Sequence, residues 1–198
     1  MFRRNYARLS DSELVTRAQK GERGAFEELY KRFSGRVYAL VYGMVANPDD
    51  AAELTQEVFA RAFRRLQNLR ADQAVYGWLR ATATNLAIDF LRHGKLVQFE
   101  PLEGNVPDSP RDLESPEDDP ERQALRSETR EAVASAVAGL KPAHRVVVAL
   151  HHFEGLSLEE IAQTLDVPVG TVKSRLARAR EALRVMLAPM VEGKNGLR

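Results

Sequence analysis

Between residues 100 and 121 the chain carries nine Asp or Glu against one basic residue, Arg111, and it is broken by Pro101, Pro107, Pro110, Pro116 and Pro120. Proline fixes φ and removes a backbone donor, and a run of like charge repels itself, so this stretch buries little and builds no regular element. At 198 residues the chain has room for one large domain or two small ones. A linker in this position favours two: a first domain over 1–95, the linker over 96–123 and a second domain over 124–198. Composition reads the linker as a solvated tether. An acidic strand that occupies a basic channel in a partner is the sharper reading, and the residues leave both open.

Both flanks show helical periodicity. Ser10 and Glu13 have the Ser-x-x-Glu spacing of a capping box, and Gly21 is a stop for a short first helix. From Ala25 onward, Phe26, Leu29, Tyr30, Phe33, Val37, Leu40, Val41 and Met44 recur at steps of three and four, one buried stripe on a long helix. Asn47 can cap the next helix, Pro48 suits its first position, and Asp49 and Asp50 favour its positive end. That helix carries Leu54, Val58, Phe59, Ala62 and Leu66 on its apolar side. After a polar segment near 67–73, Val75, Trp78, Leu79, Leu86, Phe90 and Leu91 mark another. Beyond the linker, helical pattern returns over 124–140. Pro142 opens a segment containing Val146, Val147, Val148, Leu150 and Phe153, and Gly155 ends it. No run alternates apolar and polar residues long enough to propose a sheet, so the fold class is all-α.

The stretch "EGLSLEEIAQTLDVPVGTVKSRLARAREAL" holds two helices with a tight connection. Ser157 and Glu160 form a second capping box, and Leu158, Ile161, Ala162 and Leu165 give the first helix its buried face. Asp166-Val167-Pro168 closes it, because the residue before a proline disfavours helical geometry. The second helix buries Val172, Leu176, Ala179 and Leu183. At about 100° per residue, Gly170, Thr171, Ser174, Ala177 and Arg178 fall opposite that stripe, with Lys173 and Arg175 on its flanks. Small residues let a backbone approach a groove, and Arg and Lys reach phosphates or guanine edges. This is the pattern of a helix-turn-helix with its second helix in the major groove. From Thr171 to Arg184 five basic residues face one acidic residue, Glu181, a local charge of +4. A solvated amphipathic helix would also tolerate this charge, but the short preceding helix and the small, basic outer face favour DNA.

Bulk composition narrows the rest. With no cysteine, disulfides and thiolate zinc sites are excluded, and a reducing cytoplasm is compatible. Apolar runs are short and interrupted by charge, so no segment reads as a membrane span, and residues 1–20 lack the apolar core of a secretory signal. The net charge of +1 conceals a segregation of acidic and basic segments along the chain.

"HHFEGLSLEEIAQTLDVPVGTVKSRLARAREALR" resembles the promoter-reading C-terminal domain of extracytoplasmic-function (ECF) sigma factors, and "AFEELYKRFSGRVYALVYGMVANPDDAAELTQEVFARAFRRL" followed by "WLRATATNLAIDFLR" resembles that family's other domain. The resemblance covers 11–93 and 124–187, in family order. It implies a dissociable subunit of RNA polymerase, a transcription initiation factor and not an enzyme, with no cofactor. It further implies three partners: the core polymerase through a coiled coil of its largest subunits, promoter DNA, and an anti-sigma factor that holds the protein inactive. Carried onto this sequence, Asp50, Glu53, Leu54, Gln56, Glu57 and Phe59 become candidates for polymerase docking. The later half of that helix and the segment after it resemble the part that melts the −10 element, which assigns strand capture to Arg61, Arg64, Arg65, Asn68, Arg70, Asp72, Gln73, Tyr76, Arg80 and Asn85. Tyr76 and Trp78 are the residues able to stack on a base, although Trp78 also lies on the apolar stripe. Where the family usually has Arg, this chain has Ala81 and Thr84, while Asn85, Asp89 and Arg92 are kept. The −35 contacts map to Thr171, Lys173, Ser174, Arg175 and Arg178.

Two rival classes are weaker fits. A stand-alone helix-turn-helix regulator would bind duplex DNA as a dimer without polymerase, yet no ligand or receiver domain is recognisable. A hydrolase would draw on His144, His151, His152 and Glu154, but no His-Glu-x-x-His occurs and adjacent histidines point about 100° apart on a helix.

Overall fold

The computed structural model describes residues 6–68, 75–94, 129 and 131–195. The chain divides into two compact units, Met1–Leu96 and Val97–Arg198. All regular structure among the described residues is helical.

Unit 1 is built from α1 (Asp11–Gln19), α2 (Arg23–Val45), α3 (Pro48–Arg65) and α4 (Val75–His93), with short 3-10 turns at Tyr6–Arg8 and Leu66–Asn68. Its helix boundaries follow from local chemistry. At α1 the Glu13 amide donates to the Ser10 hydroxyl at 3.3 Å and the Ser10 amide donates to the Glu13 carboxylate at 2.8 Å, the reciprocal capping box. Gly21, at φ +85°, ends it. Ala46 turns left-handed at φ +56° to close α2, and Asn47 Oδ1 then accepts from the amides of Asp49 (2.9 Å) and Asp50 (3.1 Å) to open α3.

The long helix α2 lies against α1, α3 and α4. Its residues Leu29, Val37, Leu40, Val41 and Met44 meet Leu14, Val15, Val58, Leu79 and Leu91 in a core that excludes water. The predicted stripe is buried at its C-terminal end but opens toward its start: Tyr30 is 42% exposed, and Phe26 and Phe33 are half-buried. The N-terminal turn is strapped to α2 by Arg32, which donates to Asp11 (2.8 Å), to Glu28 (3.3 Å) and to the carbonyls of Tyr6 (3.3 Å) and Ala7 (3.0 Å). Gly24 admits the Tyr6 ring where a Cβ would collide with it. Gln19 donates to the Leu66 carbonyl (2.9 Å) and Gln67 donates back to the Gln19 carbonyl (2.8 Å), which pins the exit of α3 to the end of α1.

Unit 2 contains α5 (residues 131–138), α6 (Pro142–Val148), a π-helical turn (Ala149–Phe153), α7 (Leu158–Leu165) and α8 (Val169–Asn195). Pro142 opens α6 and Gly155, at φ +65°, follows the π turn, as the sequence predicts. His151 Nδ1 lies 2.9 Å from the Leu156 carbonyl and ties that turn to the approach of α7. Arg145 is buried, and its Nη1 donates to the carbonyls of Ala138 (2.9 Å) and Leu140 (3.2 Å), closing the end of α5 with a charged donor. The start of α7 is a second full capping box between Ser157 and Glu160. Asp166, left-handed at φ +54°, ends α7, and α8 begins three residues on. The predicted linker over 96–123 and the first residues of the helix expected from 124 lie outside the described residues.

Candidate nucleic-acid interface

The second helix of the helix-turn-helix, α8, packs on both α6 and α7. Val172, Leu176 and Ala179 are buried as predicted, while Leu183 is only half-buried and Val185 and Met186 are exposed. The helix runs on through Pro189, past the end of the resembled stretch. One expectation is overturned: Thr171, Ser174 and Arg175 do not lie on the open face. They retain 2%, 1% and 1% of their accessibility. A helix lying against two partners buries a wider arc than its apolar stripe marks, and these three residues fall in that extra arc. Ser174 donates to the Thr171 carbonyl at 3.0 Å within α8 itself. Burial pulls the Arg175 guanidinium below its usual pKa, and the His144 imidazole of α6 is lowered chiefly by burial, then by Lys141, Arg178 and Arg175.

What remains outward on α8 is Gly170, Lys173 and Arg178, with Ala177 half-buried between them. A Cβ built on Gly170 would meet nothing within 4 Å, so the helix start is open to a close neighbour. Arg184 is engaged by Glu181 through contacts of 2.7 and 3.0 Å. The cationic face is therefore narrower than the local charge of +4 suggests, and Lys173 and Arg178 are its exposed predicted members.

In unit 1, Asp50 and Leu54 are half-buried on α3, while Glu53 and Gln56 are exposed. Glu57 accepts from Arg61 Nε (2.8 Å) and Arg64 Nη2 (3.0 Å), and the Arg61 hydrogen bond foremost holds its carboxyl below the usual range. Acidic and basic halves of α3 are thus joined through one carboxylate. Phe59 is a correction. It is 5% exposed and its ring packs edge-on against Tyr30 at 4.7 Å, so it supports the surface from below. The outward aromatic is Phe63, 59% exposed and 5.2 Å from Phe26; it stands one residue beyond a buried position and so off the apolar stripe.

Of the strand-capture candidates, Arg61, Arg64, Arg65 and Asn85 are exposed, and Arg80 is half-buried. Arg70, Asp72, Gln73 and the side chain of Asn68 lie outside the described residues. Tyr76 is not a bare platform: the Arg36 guanidinium sits 3.7 Å above its ring centroid, and Phe33 lies 5.7 Å away. Trp78 is half-buried and lines a cavity of about 20 Å³ with Val15, Leu29, Ala62 and Leu66, which gives it a place in the core. Thr84, one of the departures from the resembled pattern, is buried, whereas Ala81 is exposed.

Residues 29–96 match the family model "Sigma-70 region 2" and residues 130–183 match "Sigma-70, region 4". RNA polymerase sigma-H factor of Pseudomonas aeruginosa is 37% identical over 188 residues, covering 91% of this chain and 95% of the relative. The chain belongs to the ECF sigma factors of the sigma-70 family. A second relative, ECF RNA polymerase sigma-E factor of Escherichia coli K12, is 36% identical over 187 residues, covering 92% of this chain and 97% of its own. Sigma factors are transcription initiation factors rather than enzymes, which removes the hydrolase reading, and the region 2 match removes the stand-alone regulator.

Among solved structures, CnrH in complex with the cytosolic domain of CnrY covers 90% of this chain and 97% of that chain at 24% identity and TM-score 0.55. The sigma factor RpoE in complex with the anti-sigma factor NepR from Bartonella quintana covers 82% and 96% at 21% identity and TM-score 0.54. Both share the fold of this sigma factor. Its region 2 match takes in most of α2 and all of α3 and α4, and its region 4 match stops within α8. No helix among the described residues is long and apolar enough to cross a membrane.

Proposed function

We propose that this sigma factor divides promoter recognition between its two units and works only when core RNA polymerase holds both. Unit 1 docks on a coiled coil of the largest polymerase subunits through Asp50, Glu53, Leu54, Gln56 and Glu57 of α3. Phe63 joins them as an apolar anchor, since an exposed aromatic among charged neighbours is the usual composition of a binding hot spot. The basic end of α3, with Arg61, Arg64 and Arg65, then meets the opened −10 strand beside Tyr76, Arg80 and Asn85. Unpairing a base costs a few kcal/mol, which phosphate neutralisation and stacking have to offset. Unit 2 anchors the −35 duplex through Lys173 and Arg178, with Gly170 and Ala177 allowing the helix into the groove. Thr171, Ser174 and Arg175 hold that helix in place from within.

The observation that carries this reading is the open start of α8, where Gly170, Lys173 and Arg178 stay exposed while Arg175 is turned inward. The protein acts in the cytoplasm, where polymerase and promoter are. A protein inhibitor that covers one or both units fits the solved relative RpoE, which is in complex with the anti-sigma factor NepR. The test is transcription in vitro with purified core polymerase on a randomised template library. Specific start sites that depend on the added chain are expected. Tight, selective duplex binding by the chain alone, with no start sites on adding core, would defeat the proposal.

A further inference from the structure

We propose that Gln19 of α1 is a positioning residue for strand capture: with Gln67 it forms a two-way amide clamp that sets the heading of the chain as it leaves α3 toward residues 69–74. This rests on the strand-capture reading above and adds to it a helix, α1, that has no part in the DNA contacts proposed there.

The last carbonyls of an α-helix have no partner within the helix and need donors from elsewhere. Gln19 is the last residue of α1, and Leu66 is the C-cap of α3. Gln19 Nε2 donates to the Leu66 carbonyl at 2.9 Å, and Gln67 Nε2 donates to the Gln19 carbonyl at 2.8 Å. Each glutamine therefore supplies a donor where the other's element ends, across 47 and 48 positions of sequence. Leu66 itself is 6% exposed, and Val75, the first residue of α4, is 7% exposed. Both line the apolar cavity of about 20 Å³ beside Val15 and Trp78, so the two roots of the stretch between them share one seat. Apolar burial is non-directional, whereas two hydrogen bonds at the α3 root fix an orientation. Asn68, Arg70, Asp72 and Gln73, all strand-capture candidates, follow Gln67 in the chain. A hydrogen bond to a base edge weakens steeply outside about 2.7–3.2 Å, while attraction to a phosphate falls only as the inverse of distance. A loosened root thus costs discrimination between bases before it costs affinity for the strand.

The test uses holoenzyme reconstituted from the full chain and core polymerase, with a premelted promoter bubble carrying the −10 sequence taken from the library selection. A series of further bubbles replaces each −10 base in turn, and the ratio of selected to replaced affinity is measured at the most selective position. Gln19→Ala is expected to lower that ratio about three- to tenfold, the size of one ordinary hydrogen bond, with the salt slope of binding and co-purification with core unchanged. Gln19→Glu has the same shape but offers no donor at neutral pH, so it follows Gln19→Ala. Gln19→Lys returns a donor to the Leu66 carbonyl and restores most of the ratio. A ratio that stays at the parent value in Gln19→Ala or in Gln19→Glu overturns the proposal. A fall in the Trp78 melting transition of the full chain with the ratio unmoved makes the clamp structural and overturns it equally. So does a drop in affinity for all bubbles by the same factor. If the parent holoenzyme itself binds every bubble alike, strand capture by unit 1 is wrong and this assignment goes with it. A parent that discriminates beside variants that discriminate equally refutes the clamp alone.

Discussion

Arg145 offers the most direct test of how unit 2 is held together. The residue is 6% exposed and its Nη1 caps the carbonyls of Ala138 and Leu140 at 2.9 and 3.2 Å, where α5 gives way to α6. Arg145→Met keeps most of the buried stem but removes the donor. Hydrogen bonds from a charged group contribute about 1.5–3 kcal/mol each, and an unpaired buried carbonyl costs a similar amount. Against this stands the relief of no longer burying a charge, which burial alone already registers by lowering the guanidinium pKa. Taking the lower figure for both bonds leaves a loss of about 3 kcal/mol. In a domain of this size that corresponds to a fall in Tm of roughly 12–24 °C. Arg145→Lys, able to reach fewer acceptors, should fall between.

The sequence supplies its own internal control for the assay. The single tryptophan, Trp78, and all five tyrosines, Tyr6, Tyr30, Tyr38, Tyr42 and Tyr76, belong to unit 1. Tryptophan fluorescence therefore reports unit 1 alone, while far-UV circular dichroism reports the helices of both. Arg145→Met should lower the temperature of the circular dichroism transition contributed by unit 2 and leave the Trp78 transition where it was. A shift below about 1 kcal/mol in unit 2 would show that the two carbonyls find other donors and that the capping argument is wrong. An equal shift in both signals would refute the localisation.

Other expectations follow from the same contacts. Lys173→Ala and Arg178→Ala should each weaken promoter use by about 1–3 kcal/mol where they meet a base, with stability unchanged. Arg175→Ala should instead lower the melting temperature of unit 2, and equal melting of all three variants would contradict the burial. Because Arg175 is inward and Arg184 is held by Glu181, the salt slope of duplex binding should lose about 0.9 for each of Lys173 and Arg178 removed, but little for Arg184; log–log titrations against salt measure this. Glu57→Ala should reduce co-purification with core polymerase while leaving circular dichroism intact. Since the Arg61 hydrogen bond lowers the Glu57 pKa, the pair's contribution is present above the usual value of 4.5 and is lost as pH falls through the lower folded value, so docking should persist at neutral pH and weaken only in acid. His144 and His152 are held below the usual 6.5 chiefly by burial, then by Lys141, Arg178 and Arg175 for His144 and by His151 and Arg180 for His152. Folding therefore favours the neutral rings. Unit 2 should be fully stable above about pH 6.5 and lose stability as pH drops below it, and His144→Gln with His152→Gln should flatten that dependence in urea titrations at two pH values.

Helix boundaries were legible because they are local. Ser10 with Glu13, Asn47 with Pro48, and Ser157 with Glu160 satisfy orphan amides within a few residues of themselves, and the left-handed Gly21 and Gly155 stop helices for reasons contained in one residue. Segment-scale resemblance was equally legible, since the region 2 and region 4 matches lie over the quoted stretches. Individual exposure was not. Tyr76 is covered by a residue forty positions earlier, Arg36, and no spacing rule in either helix announces that pairing. Phe59 and Phe63 sit one turn apart with similar neighbours, yet one is sealed against Tyr30 and the other stands open.

The recognition helix shows why. Val172, Leu176 and Ala179 locate the centre of the buried arc of α8, and periodicity can do no more than that. The width of the arc depends on how many helices lie against α8, and here both α6 and α7 do. That second neighbour leaves Thr171, Ser174 and Arg175 buried, where the apolar stripe alone would leave them open. Small residues at a recognition helix thus have two physical uses that look identical in sequence: admitting a DNA backbone from outside, as Gly170 can, or admitting a neighbouring helix from inside, as Thr171 and Ser174 do. Basic residues divide the same way, because an arginine with carbonyl acceptors in reach is tolerated inside, as Arg145 demonstrates within the same unit. The sequence pattern therefore marks α8 as the second helix of the helix-turn-helix, while the packing of α6 and α7 against it sets which of its side chains stay exposed.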